Sequence, residues 1–335
     1  MTLNVGVIGY GYWGPNLVRN YVETPGSQVV AVSDVRPERL CEVQKRYPFI
    51  KTSTDNKDLF NDPTIDAILI STPVSSHYEL AMQALQVGKH VLLEKPITQQ
   101  SDQARRLIEE AERRKRVLMV DHTFIYTGAI RKIHDFITSG EIGDLYYYDS
   151  VRVNLGLFQH DVSVLWDLAV HDLSIMDYLL GEESIAVSAA GISHIPGEPE
   201  NTAYLTIFLE NNLIAHIHVN WLAPVKIRRT LIGGSHKMIV YDDLEPSEKV
   251  KVYDRGICLN DETSVYKMLI SYRTGDVWIP GLDQTEALRT QAKHFIECVE
   301  TGKAPITDGQ AGLRVVKLLE AATQSMAKRG QPFEI

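Results

Sequence analysis

The strongest constraint on what this chain can fold into is the stretch from Asn4 to Gly14. An apolar run, Val5 to Ile8, ends in the turn Gly9-Tyr10-Gly11-Tyr12-Trp13-Gly14, and a helical pattern starts at Pro15. A run of that length before a glycine turn reads as a buried strand. Gly9 permits the tight turn, Gly11 lets backbone approach a pyrophosphate, and Gly14 lets helix pack on strand. The free N–H groups at the helix start face the phosphates. A second apolar strand, Gln28 to Ser33, ends at Asp34, twenty residues beyond Gly14, where a carboxylate can hold an adenosine ribose diol. The order strand, turn, helix, strand, acid predicts a dinucleotide site built on Gly9, Gly11, Tyr12, Trp13, Gly14 and Asp34. NAD is expected ahead of NADP, although Arg36 could accommodate a 2′-phosphate. A flavin dinucleotide uses the same motif, and a flavodoxin-like turn without nucleotide is the remaining alternative.

The pattern continues as alternating strand and helix. Helices are expected over Pro37–Arg46, Asp55–Phe60, Ser75–Val87 (capped by Ser75) and Ser101–Lys115, and strands over Ala67–Ser71, His90–Leu93 and Val117–Val120. Such alternation needs parallel pairing with crossover helices, hence a doubly wound α/β sheet of the Rossmann kind. Ligands then lie beyond the carboxyl ends of its strands. Those ends carry Ser71-Thr72-Pro73 with His77 following, Glu94-Lys95-Pro96, and Asp121-His122-Thr123. Lys95 is the lysine that the sheet aims at the cofactor edge. Ser71, Thr72, Pro73, His77, Glu94 and Thr123 join it as candidate cofactor contacts.

After a helix over Gly128–Ser139 the period changes to two. Leu145–Asn154, Ile185–His194, Asn201–Glu210, Leu213–Trp221, Arg228–Ile232 and Lys237–Tyr241 alternate as strands of an open, mostly antiparallel sheet. A helix, Val164–Leu180, is inserted after the first of them. Two terminal helices, Gln284–Glu300 and Gly309–Lys328, are expected to pack back on the first domain. The stretch Asp254–Pro280 has no clear period. The expected division is a dinucleotide domain over 1–122 and an α+β substrate and oligomerisation domain over 123–335.

Composition narrows the function classes. The chain has 335 residues, 44% hydrophobic and 23% charged, with a net charge of −9. Nucleic-acid binding as the main activity would call for a basic footprint. No apolar run reaches membrane-spanning length. The first strand starts almost at Met1, which argues against a leader peptide. Cys41, Cys258 and Cys298 are scattered, which suits a reducing cytoplasm rather than a disulfide framework.

The chemistry-bearing pattern in the second half is Asp167 and His171, four apart on one helical face. A histidine suits proton transfer near neutral pH, and a neighbouring carboxylate can orient it. Asp172 and Asp177 lie off that face and are expected at caps or solvent. His216 and His218 share one sheet face without a third ligand, so an interface is expected there and no metal site.

Taken with Gly9-x-Gly11-x-x-Gly14, Thr72-Pro73 with His77, Glu94-Lys95-Pro96 and Asp167-x-x-x-His171, nearly the whole chain resembles the glucose-fructose oxidoreductase, inositol dehydrogenase and rhizopine-catabolism (Gfo/Idh/MocA) family of sugar dehydrogenases. The resemblance implies that Lys95 polarises the reacting hydroxyl and touches the nicotinamide ribose. It also implies that His171 is the general base and that Asp167 contacts the sugar or supports the histidine. The chain departs from the family where His122-Thr123-Phe124-Ile125-Tyr126 replaces an Asn and Arg pattern, and at Ala169. Asn154-Leu155-Gly156 and the run Asn220–Arg228 are similar to a branch of UDP-N-acetylglucosamine 3-dehydrogenases. That implies a UDP-N-acetylhexosamine oxidised at C3, with Arg152, Asn154, Lys226 and Arg228 as candidate contacts to its diphosphate. A free-sugar or inositol dehydrogenase, an NAD-retaining glycosidase and a non-catalytic sugar-sensing repressor share the scaffold. The expected assembly is a homodimer or homotetramer through the open sheet face.

Overall fold

The computed structural model describes residues 2–156, 162–254, 256–259, 270–273 and 275–335, which form two compact units. The first comprises Met1–Thr127 with Thr285–Lys317, and the second Gly128–Gln284 with Leu318–Ile335. The leading segment of the first unit runs to Thr127. The helix Ala287–Thr301 belongs to the first unit, and the second division lies inside the last helix, Gly309–Ala327.

In the first unit, strands β1 (Leu3–Ile8), β2 (Ser27–Ser33), β3 (Lys51–Ser53), β4 (Ala67–Ile70), β5 (His90–Glu94) and β6 (Leu118–Asp121) form one parallel sheet in the order β3-β2-β1-β4-β5-β6. The direction of winding reverses between β1 and β4, which opens a crevice at their carboxyl ends. All four residues of β4 are buried, as expected for a strand covered on both faces. The helix Ser101–Arg114 buries Ala104, Leu107, Ile108 and Ala111, one stripe at helical spacing, and stops where Lys115 turns left-handed at φ 53°. Ser75 does not cap the helix after β4. A 3₁₀ turn, Val74–Ser76, intervenes, and the α-helix starts at His77.

The second unit is built on nine strands in the order β16-β13-β12-β11-β7-β10-β9-β8-β17. Here β7 is Leu145–Leu155, β8 Ser184–Ile192, β9 Thr202–Leu209, β10 Ile214–Asn220, β11 Leu222–Gly234, β12 Met238–Asp242, β13 Val250–Tyr253, β16 Val277–Trp278 and β17 Phe333–Glu334. The sheet is mostly antiparallel, as expected, with β10 pairing with β7 in parallel. The helix after β7 carries the chain across, and the β8-β9-β10 meander then returns to lie beside β7 in the same direction. Asn211 and Asn212, both at positive φ (55° and 59°), make the β9–β10 turn; asparagine tolerates this region and its sense matches strand twist. Part of the stretch Asp254–Pro280 lies outside the described residues; β14 (Gly256–Leu259) and β15 (Ile270–Arg273) form a separate two-stranded sheet.

One face of the large sheet is apolar and covered. Ala203, Leu205 and Ile207 of β9, Ala215, Ile217 and Val219 of β10, and Tyr148 of β7 are buried. The other face is open and carries Tyr204, Phe208 and Ile214. The period of two is thus the signature of a sheet buried on one side.

Arg152 sits on the covered face, 3% exposed, and its Nε donates to Asp172 Oδ2 at 2.5 Å. Asp172 is 2% exposed and also accepts from the Ser150 hydroxyl at 2.6 Å. This corrects two expectations. Asp172 does not face solvent, and Arg152 is committed to it instead of being displayed for a diphosphate. Removing one partner strands a buried charge. Asp172→Ala is expected to lower unfolding free energy by about 3–5 kcal/mol. Arg152→Met/Asp172→Leu should recover most of that loss in urea denaturation monitored by circular dichroism. A double variant as unstable as Asp172→Ala would refute the assignment.

Candidate active site

The glycine turn is shaped by three different constraints. Gly9 has φ +94°, and a Cβ there would meet the Ser71 carbonyl at 2.6 Å. A Cβ on Gly14 would lie 2.2 Å from the Gly9 carbonyl oxygen. Both positions are closed by the protein's own backbone. Gly11 differs: its Cβ would meet only the Arg36 Nη2 atom, at 3.4 Å, so the space over it is open to a ligand. Ser71 ties the turn to β4, its hydroxyl donating to Gly9 O at 2.8 Å and its amide to Ile8 O at 2.9 Å. The following helix, Gly14–Glu23, has no side-chain cap and no acid in its first turn. No side chain or acid therefore competes with phosphate at this helix start. Tyr12 is 91% exposed and stacks on Trp13.

Asp34 ends β2 and is buried. Its Oδ2 accepts from the Tyr10 amide at 2.7 Å, and its Oδ1 accepts from the Arg36 amide at 2.9 Å and Nε at 3.1 Å. Burial raises its pKa, but the Arg36 side chain and the two amides outweigh burial and hold it below the usual carboxylate range. An ionised Asp34 favours a ribose diol. The guanidinium beside it is half-exposed and can swing aside.

At the ends of β5 and β6 the side chains form a hub around Asp121, which is 1% exposed. It accepts from Trp13 Nε1 at 3.2 Å, the Thr123 hydroxyl at 2.5 Å and Gln291 Nε2 at 2.9 Å. Glu94 stands opposite it in register and shares a side-chain hydrogen bond with it; burial and the Asp121 charge push Glu94 well above the usual carboxylate range. Thr123 is thus spent on Asp121 within the protein. Trp13 is held to β6, which gives the glycine turn a fixed outer wall. Lys95 is half-buried next to this hub, its amide donating to Glu94 Oε2 at 3.1 Å. Thr72 bonds Ser76 through their hydroxyls at 2.7 Å. His77 is buried with both ring nitrogens at 2.9 Å from backbone carbonyls, those of Pro96 and Thr72. It was expected at the cofactor; its polar atoms meet the protein's own loops instead.

In the second unit, the turn carrying Asp167, Leu165–Ala169, is π-helical and runs directly into the α-helix Val170–Leu180 that carries His171. Short π segments recur at functional sites because they re-aim a side chain. Asp167 Oδ2 accepts from Trp221 Nε1 at 3.2 Å. Trp221 is 1% exposed, and its own backbone is fixed by Asn201 O and the Gly156 amide, each bond 3.0 Å. Asp167 and His171 are both half-buried. Arg228 donates to Asp243 Oδ2 at 3.1 Å, so it too is already paired, whereas Lys226 is exposed on β11 and Asn154 half-buried on β7.

The expectations did not count Asp121, His122 or Gln291 among the candidate residues of the first unit, or Trp221 beside Asp167 in the second. Asp121 and His122 were visible as polar residues ending an apolar strand. Gln291 and Trp221 come from remote segments with no local signal.

Two family descriptions cover this geometry: "Oxidoreductase family, NAD-binding Rossmann fold" matches residues 3–122, and "Oxidoreductase family, C-terminal alpha/beta domain" matches residues 135–335. The chain belongs to the Gfo/Idh/MocA family. It is an oxidoreductase, and its first unit is the NAD-binding domain of that family. Among its relatives, myo-inositol 2-dehydrogenase of Thermotoga maritima is 25% identical, covering 98% of this chain and 97% of its own. UDP-N-acetylglucosamine 3-dehydrogenase of Acidithiobacillus ferrooxidans is 27% identical over 94% of each chain. The solved structure of a levoglucosan dehydrogenase in complex with NADH and levoglucosan superposes with a TM-score of 0.86 at 21% identity, covering 100% of both chains.

His122 is 1% exposed with no hydrogen-bond partner at either ring nitrogen, and burial followed by the charge of Lys95 pushes its pKa down to about 3. An unfolded histidine titrates near ~6.5. Between the two values the unfolded chain binds the proton and the folded one does not. This contribution is complete above the unfolded value and is lost as pH falls towards the folded one. Burial lowers His77 and His90 in the same direction. Stability against urea is therefore expected to fall below about pH 6.5, and His122→Asn should flatten the slope by up to ~1.4 kcal/mol per pH unit. An unchanged slope would show that His122 ionises freely in the folded protein.

Proposed function

We propose that the protein is an NAD-dependent dehydrogenase that oxidises a secondary hydroxyl of a free sugar or cyclic polyol. The observation that carries this reading is the combination of an open cradle over Gly11 with a carboxylate, Asp167, already aimed by Trp221, one turn before His171. NAD, when bound, supplies the hydride acceptor. His171 takes the hydroxyl proton, a role suited to an imidazole near neutral pH. The Lys95 ammonium stabilises negative charge developing on the same oxygen. Asp167, held by the indole, receives a ring hydroxyl or steadies the histidine. Asp34 holds the adenosine ribose, and the uncapped helix start holds the pyrophosphate.

A UDP-N-acetylhexosamine is the second reading. Its diphosphate needs local cations in a protein of net charge −9. Of the cations expected there, Arg152 is paired with Asp172 and Arg228 with Asp243, leaving Lys226 exposed. That balance favours an uncharged ring, and both kinds of substrate occur in the names of relatives.

The test follows NADH formation with myo-inositol, scyllo-inositol, glucose, N-acetylglucosamine and UDP-N-acetylglucosamine. A free ring is expected to give the highest kcat/KM, with NADH accumulating in step with product. A higher value for the nucleotide sugar would overturn the substrate, and turnover without free NADH would point to an NAD-retaining glycosidase. Lys95→Ala and His171→Ala should each lower kcat by about two to four orders of magnitude while binding NAD as before. Wild-type rates in either would remove that residue from the mechanism.

We also propose that the open sheet face binds a second copy of the chain. Its exposed Tyr204, Phe208 and Ile214, with Tyr204 stacked on His218 at 4.3 Å, suit a self-associating surface. Sedimentation should give a dimer or tetramer that Tyr204→Glu dissociates; a monomeric wild type would exclude it.

A further inference from the structure

We propose that His77 is a positioning residue that sets Lys95 against the cofactor cradle, an inference that rests on the role given above to Lys95. Three elements meet at its ring. His77 opens the helix after β4 and is 1% exposed. Its Nδ1 lies 2.9 Å from the carbonyl oxygen of Pro96, the residue after Lys95. Its Nε2 lies 2.9 Å from the carbonyl oxygen of Thr72, the residue after Ser71. Ser71 in turn bonds Gly9 O and Ile8 O. One ring therefore closes a continuous path from the glycine turn, through Ser71 and Thr72, to the backbone that carries Lys95.

The path matters because of what else holds the lysine. Upstream, β5 is fixed by pairing with β4 and β6. Downstream, Pro96 has no N–H to offer the sheet, and its carbonyl is the first polar group past Lys95. The His77 ring stands within hydrogen-bond distance of that carbonyl. A buried carbonyl left without a donor is costly, so removing the ring favours movement of this loop. Both partners are acceptors, and a neutral imidazole carries one N–H. Burial, opposed by the two carbonyls and assisted by the charge of Lys95, keeps the ring below its ordinary pKa. Near neutral pH the ring thus donates to one carbonyl and, close-packed, keeps the spacing to the other. Lys95 is the charged group that acts on it.

A displacement of about 1 Å in a reacting group can cost on the order of a hundredfold in rate. The test compares His77→Leu, which removes both contacts, with His77→Asn, whose shorter side chain reaches one carbonyl. Folding is checked by circular dichroism, and NAD affinity by tryptophan fluorescence. His77→Leu is expected to keep its NAD Kd within about threefold and lose about ten- to a hundredfold in kcat. His77→Asn should fall between it and wild type. In a Lys95→Ala background, His77→Leu should cost little more, since both act through one group. Hydrogen exchange at the Lys95 and Ile97 amides should quicken in both variants. A folded His77→Leu with wild-type kcat, or a loss confined to NAD affinity, overturns the proposal. Unchanged exchange overturns the clamp by itself. A wild type inactive on every ring tested would instead sink the reading of Lys95, while the exchange result still judges the clamp.

Discussion

The buried pair of Arg152 and Asp172 is the constraint on which the second unit depends. Moving two charges out of water is expensive, and their attraction offsets the cost only when geometry is good and further donors complete the shell. Here Ser150 supplies such a donor, and the Tyr148 hydroxyl donates to the Asp172 carbonyl at 3.4 Å. The pair joins the middle of β7 to the first turn of the α-helix, one residue after His171. A helix held only by apolar packing can rotate by a fraction of a turn at little cost. A helix pinned by a directional ion pair cannot, so the side chains next to the pin inherit its orientation. The catalytic histidine proposed here owes its aim to a neighbour that does no chemistry.

The same economy governs Asp167. Its turn is π-helical, which displaces it from the line of an ordinary helix, and Trp221 then fixes the carboxylate. The tryptophan is fixed in its turn by Gly156, where a Cβ would lie 2.6 Å from the indole ring. The run Asn154-Leu155-Gly156 can therefore be read as making room for Trp221, beyond any direct contact with a ligand.

These relations explain what could be read from residues and what could not. The glycine turn was legible because each glycine answers a local backbone demand, a positive φ at Gly9 and a close approach at Gly14. The doubly wound parallel sheet followed from alternation, since crossover handedness leaves few options. The mostly antiparallel reading of the second sheet holds, and the parallel partner within it, β10 on β7, had no sequence signal, because period two reports burial on one face and is silent on direction. Arg152 and Asn154 do alternate with the period of a strand, but periodicity does not say which face is covered. The residue counted as a free cation lies on the closed side. Charge pairing between β7 and a helix some twenty residues later has no sequence signal of its own.

His77 is the sharper case. Its position after Thr72-Pro73 made it look like a cofactor contact, because polar residues at strand ends usually face the ligand. Both ring nitrogens in fact meet main-chain carbonyls, so its contribution passes through backbone. The residue types at the site then divide by how they act. Lys95, Asp167 and His171 are the groups proposed above to meet a substrate. His77, Asp121, Asp172 and Trp221 each spend their hydrogen bonds on the protein itself. Within each unit, the side chains proposed for chemistry stand beside others whose hydrogen bonds hold them in place. The entropy of alignment is thus met at folding, not at each turnover, which is the physical sense in which such a site is preorganised.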